Sequence, residues 1–158
     1  MHESPHDLVV RTIAATRFPF PGQTTWPDGY VTNTNVPERK ISIETPNGAH
    51  FPDIVITDRT GTIREMGEVE MDISEAALPY FTAGSALTDN DTPTKVKHFF
   101  VYVPAGQEAR AQKLLDDNGI SYAGVRGFTI GDQGEVGIVP FVTAGDEYDH
   151  QVTPMTKV

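Results

Sequence analysis

Two apolar runs, residues 51–57 and 63–71, are separated only by Asp58-Arg59-Thr60-Gly61, too few residues for anything but a tight antiparallel connection. Gly61 suits the positive φ that such turns need. Ile54, Val55 and Ile56 on one run, with Met66, Val69 and Met71 on the other, give the pair the look of buried strands. Its register decides what else it carries. A two-residue turn at Thr60-Gly61 sets Asp53 opposite Glu68, with Glu70 on the same face, so three carboxylates converge. A three-residue loop ending at Gly61 sets Asp53 opposite Gly67 and turns both glutamates to the other face.

Carboxylates that close repel one another and raise their own pKa values unless a cation joins them. Mg²⁺ or Mn²⁺ prefers such oxygens, so Asp53, Glu68 and Glu70 form a candidate metal site. The ordinary fate of a strand-end acid is solvation, but the apolar setting of these three weighs against it.

The chain before this hairpin opens with Ser4-Pro5-His6-Asp7, a helix start, and Leu8, Val9, Ile13 and Ala14 at helical spacing extend the helix to about residue 17. His2 and His6 are expected in solvent. Residues 18–37 carry four prolines and no periodicity and read as a long loop, with Trp26 and Tyr30 pinning it to the body. Residues 39–45 alternate as a strand. A turn on Asn47-Gly48 then places Ser42 opposite Asp53 and Glu44 opposite Phe51, which makes Glu44 a neighbour of the acids. Arg39-Lys40 is a close basic pair at the strand end, able to meet phosphate but solvated by default, and His50 is placed to hold a phosphate or a water.

After the hairpin, Ser74 is positioned to cap a short helix that Pro79 confines or kinks. Residues 83–94 read as a loop. Residues 95–103, KVKHFFVYV, form the most strand-like run in the chain, and residues 107–118 an amphipathic helix closed by Gly119. Residues 120–130 supply a further strand, and 136–142 an edge strand containing Pro140. The helical crossover makes the strand after residue 95 parallel to the Glu68 strand. Lys95 and Lys97 then fall at the end away from the acids. Tyr102 falls near them, at the site rim or in the core, and Arg126 on the last strand is a candidate phosphate clamp.

The resulting order, αβββαβ with an appended αβ and a C-terminal hairpin or tail, defines an α/β (α+β) fold with a mixed central sheet flanked by helices. One domain over residues 1–142 and a polar tail over 143–158 account for the 158 residues. Without cysteine there are no disulfides, thiolate zinc sites or cysteine nucleophiles. Without an apolar run of spanning length or a signal-like start, the expectation is a soluble, cytoplasmic chain that does not engage membranes. A net charge of −10 opposes coating of nucleic acid by bulk electrostatics, and leaves room only for a few cations lining one face.

Pro52-Asp53 followed by Glu68-Val69-Glu70 on the next strand, within this element order, resembles the metal site of the PD-(D/E)xK nuclease superfamily over residues 5–130. The resemblance implies a restriction-endonuclease-like core and a Mg²⁺- or Mn²⁺-dependent phosphodiesterase acting on DNA, less readily on RNA. In it Asp53 and Glu68 hold the cation, and a homodimer forms where both strands are cut. The family lysine is replaced here by Glu70, which leaves that lysine's role in doubt and assigns Glu70 either a second metal or the general base. The alternative is a nuclease scaffold without turnover that binds nucleic acid or protein.

Overall fold

The computed structural model describes residues 3–16, 31–87, 99–120, 122 and 124–143. The first helix, α1 (Pro5–Thr16), starts where Ser4 Oγ accepts the Asp7 N–H at 3.1 Å, and its Val9, Val10 and Ile13 are fully buried. The strands are β1 (Val31–Thr34), β2 (Ile43–Thr45), β3 (Gly48–His50), β4 (Ile54–Thr57), β5 (Ile63–Val69), β6 (Phe99–Pro104), β7 (Gly124–Ile130) and β8 (Val136–Thr143). Two further helices, α2 (Leu78–Leu87) and α3 (Glu108–Asp117), precede β6 and β7 respectively. Six strands form one mixed sheet in the order β1-β4-β5-β6-β7-β8, while β2 and β3 make a separate hairpin.

The sheet is antiparallel from β1 through β4 to β5, parallel from β5 through β6 to β7, and antiparallel again at β8. Its two faces are buried by different layers. On one, α1 packs Val9, Val10 and Ile13 against Ile54, Ile56, Val69, Tyr102 and Phe128. On the other, Met66, Phe99, Val101, Val103 and Val125 lie under Phe81 of α2 and Ala111 and Leu115 of α3. Burial on both sides explains the unbroken apolar run of β6. The fold is thus mixed α/β, with three α-helices among the described residues around a mixed central sheet. Among the described residues no helix is long and apolar enough to cross a membrane.

Both turn readings of the central hairpin hold in part. Asp58 N–H bonds Thr62 O at 2.9 Å around a three-residue loop, and Gly61 takes φ +86°. The Asp58 carboxylate organises the loop by accepting the N–H groups of Thr60 and Thr62 and the Arg64 Nε–H at 2.9–3.0 Å. That loop pairs Thr57 with Ile63, which is the slipped register. A bulge at Arg64 then cancels the slip, so Ile56 faces Glu65 and Ile54 faces Gly67, and the continued register brings Asp53 beside Glu68.

Several expectations are corrected. The strand beside β4 is β1, from the stretch read as a loop, and residues 39–42 are not a strand. The β2–β3 turn centres on Pro46-Asn47, because proline's fixed φ suits the first corner of a turn and Gly48 takes φ +103° after it. Glu44 therefore pairs with Ala49 rather than Phe51, and Ser42 does not face Asp53. Ser74 makes no side-chain cap; a 3₁₀ turn (Glu75–Ala77) leads into α2, where Pro79 is tolerated in the first turn. The β8 edge strand forms as expected, with Pro140 opposite Arg126 next to a register shift. His2, Trp26, Tyr30, Lys95, Lys97, His98 and residues 144–158 lie outside the described residues.

Candidate functional site

The acids meet where β5 ends, at the carboxyl end of the parallel strands. Asp53 lies one residue before β4, and its Oδ2 accepts the Val69 N–H at 2.7 Å. Glu68 Oε1 in turn faces the Asp53 N–H at 3.4 Å. Each carboxylate thus caps the partner strand's backbone, which locks the two side chains together. Glu70 follows directly, its N–H bonded to Tyr102 O at 2.9 Å, so β6 fixes its position. Glu68 is 1% exposed and Asp53 9% exposed, a depth at which unpaired acids are costly.

Two histidines flank the acids, one from each layer. His6, in the first turn of α1, has Nε2 3.1 Å from Asp53 Oδ1 and Nδ1 3.0 Å from Asp7 Oδ1. Both ring nitrogens face carboxylate oxygens, so both must donate and the ring is an imidazolium. The hydrogen bond to Asp53, aided by both carboxylate charges, raises its pKa to about 9 against the pull of burial. His50, at the end of β3, has Nε2 2.7 Å from Glu68 Oε2, and its ring stacks on Tyr80 of α2 at 4.2 Å between centroids.

The electrostatics follow from burial. Desolvation, then repulsion from Asp53 and Glu70, holds the Glu68 carboxyl well above the usual range. Desolvation and Asp53 push Glu70 up to about 7, against the charges of His6 and His50. Burial lowers His50, with Asp53 and Glu70 opposing. The 2.7 Å contact between Glu68 and His50 thus joins two groups whose charged forms burial disfavours, Glu68 being raised and His50 lowered.

The remaining predicted site residues lie elsewhere. Glu44 is exposed on the separate hairpin. Tyr102 is fully buried in the core under α1, not at a rim. Arg126 is 3% exposed, its guanidinium 4.7 Å above the Phe100 ring and 6.0 Å from that of Tyr102, so it packs inside the sheet instead of reaching out to a phosphate. His50 does border the acids. Two residues were missed. His6 was expected in solvent, and only the packing of α1 across the sheet end brings it in. Asn35, 6% exposed, accepts the N–H groups of Lys40 and Ile41 at 2.7 and 2.8 Å and donates to the carbonyls of Ile41 and Pro52. Its own N–H bonds Asp53 O at 3.2 Å. One of two Asn residues in a proline-bounded stretch gave no sequence signal of this.

No protein-family model and no curated protein matches the sequence. Among the described residues, no group of three or more carboxylate or imidazole side chains stands in a cation-binding arrangement. The donor chemistry nevertheless fits a hard cation: three mutually repelling carboxyls, two of them buried and two with pKa values raised by burial and by that repulsion, beside one imidazolium.

Proposed function

We propose that this chain is a divalent-cation-dependent phosphodiesterase of restriction-endonuclease-like fold that cleaves DNA, with RNA the lesser substrate. The observation that carries the reading is the convergence of Asp53, Glu68 and Glu70 at the end of the parallel strands. Its support in the fold is the sequence α1, then β1, β4 and β5 antiparallel, then α2 and a parallel β6, an αβββαβ order interrupted only by the small β2–β3 hairpin.

Asp53, Glu68 and Glu70 would hold Mg²⁺ or Mn²⁺. Such a cation, when bound, acidifies a coordinated water and offsets charge on the phosphate under attack. The protein's own groups do the rest. Where the cation rests on Asp53 and Glu68 alone, the half-buried Glu70 carboxylate beside them is placed to take a proton from the attacking water. The His6 imidazolium supplies fixed positive charge beside Asp53 in a site whose usual lysine is missing. His50, held by Tyr80, orients Glu68 through its 2.7 Å contact. A second copy of the chain would be required where both strands of a duplex are cut.

The direct test is cleavage of end-labelled single- and double-stranded DNA with Mg²⁺, with Mn²⁺ and with EDTA, using wild type and Asp53→Asn. Metal-dependent scission lost in the variant is expected. Cation-independent scission overturns the metal mechanism, and no scission in any condition overturns the enzyme; the occupied carboxylate oxygens then favour a binding module built on the same fold.

A further inference from the structure

Resting on the nuclease reading, we propose that residues 36–42 present Arg39 and Lys40 as a phosphate clamp that seats a nucleic-acid strand against the acidic site. The tie between the two is a single buried side chain. Asn35 Oδ1 accepts the N–H groups of Lys40 and Ile41, while its Nδ2 donates to the carbonyl of Pro52, the residue before Asp53. The backbone of the basic pair is therefore fixed relative to the backbone that carries the first acid.

Both cations are exposed, and among the described residues neither has an acidic partner. The Arg39 guanidinium lies 5.1 Å from the centroid of the Phe51 ring. Among the described residues nothing accepts its N–H groups, so they remain for an anion, and arginine grips phosphate through them. Glu38, exposed on the same loop, leaves the clamp only modestly positive.

A polyanion approaching a chain of net charge −10 needs such a local foothold, and a metal site without its usual lysine needs it more. The ligand is the phosphodiester backbone adjacent to the cleaved bond. Two contacts of this kind are sequence-independent and are read by salt: each contributes roughly 0.9 to the slope of log K against log salt on duplex DNA and roughly 0.7 on single strands.

The test is anisotropy of fluorescein-labelled single-stranded and duplex DNA with the full chain in Ca²⁺ across a salt series. It compares wild type, the double variant Arg39→Ala/Lys40→Ala, and Arg110→Ala on α3 as a remote control. Circular dichroism and thermal unfolding verify that each variant is folded. The clamp predicts that the double variant loses roughly 1.8 of the slope on duplex and roughly 1.4 on single strands, while the control keeps it. Wild-type binding with an unchanged slope in the double variant overturns the clamp and leaves the nuclease reading standing. Wild type that neither binds DNA nor cleaves it with Mg²⁺ or Mn²⁺ removes both.

Discussion

His6 Nε2 stands 3.1 Å from Asp53 Oδ1, joining the first turn of α1 to the strand pair that carries the acids. The contact extends the packing of α1 against Ile54 and Val69 to the polar end of the sheet. It means that the fold itself supplies a positive charge to a cluster of carboxyls, two of which it also burdens with protons.

That arrangement fixes how stability should vary with pH. The raised His6 pKa, about 9 against an ordinary 6.5, contributes stability that is complete below about 6.5 and lost as pH rises through 9. Glu70, pushed up to about 7, is penalised in the folded state once it ionises, so its cost grows between its ordinary 4.5 and 7. Glu68 acts in the same direction. His50, lowered by burial, opposes them below its ordinary 6.5, but Glu68, Glu70 and His6 together leave the folded state richer in protons, so the unfolding free energy without metal should fall from about pH 5 to about pH 9. Urea denaturation across that range checks it; a rise in stability toward alkaline pH contradicts it.

Asn35→Ala should cost about 2–4 kcal/mol, because it strands buried N–H and carbonyl groups of residues 40, 41 and 52 while removing their common partner. Chemical denaturation measures this directly. A loss below about 0.5 kcal/mol shows that the loop finds other partners and that the side chain is not its anchor.

Gly127→Ala should destabilise by about 1–3 kcal/mol. A Cβ built there falls 2.1 Å from Glu108 Oε2 and 3.2 Å from Ala105 Cα, so the glutamate must leave its place. Its other oxygen accepts the Gly106 N–H at 2.6 Å, a contact the displacement would weaken. In a Glu108→Ala background the same substitution should cost markedly less, and a double-mutant cycle reads the difference. Equal costs in the two backgrounds refute this account of the glycine.

What the sequence made legible was whatever local chemistry alone decides. The β4–β5 hairpin, α1, α3 and the parallel entry of β6 follow from apolar spacing and from Ser4, Gly61 and Gly119. Asp53 beside Glu68 was reachable as one of two registers, but the choice between them lay in the Arg64 bulge, which responds to the Asp58 carboxylate rather than to any strand pattern. The strand at 31–34 stayed hidden because its VTNT sequence is polar and only its pairing with buried β4 makes it a strand. His6 and Asn35 act through tertiary contacts with partners 47 and 17 positions away in sequence (53 − 6 and 52 − 35), which no local signal marks. Tyr102 and Arg126 were placed on the right strands, yet α1 covers Tyr102 and Arg126 packs over Phe100 and Tyr102, because neighbours in the fold decide which side chains see water.

The central claim is that Asp53, Glu68 and Glu70 form one cation site, and calorimetric titration with Mn²⁺ near neutral pH tests it without requiring any turnover. Wild type should give a saturable binding heat accompanied by proton release as the raised carboxyls ionise, and Glu68→Gln, which keeps the shape and removes one charge, should give neither. No Mn²⁺ heat from the folded wild-type chain, or an undiminished heat from Glu68→Gln, contradicts it.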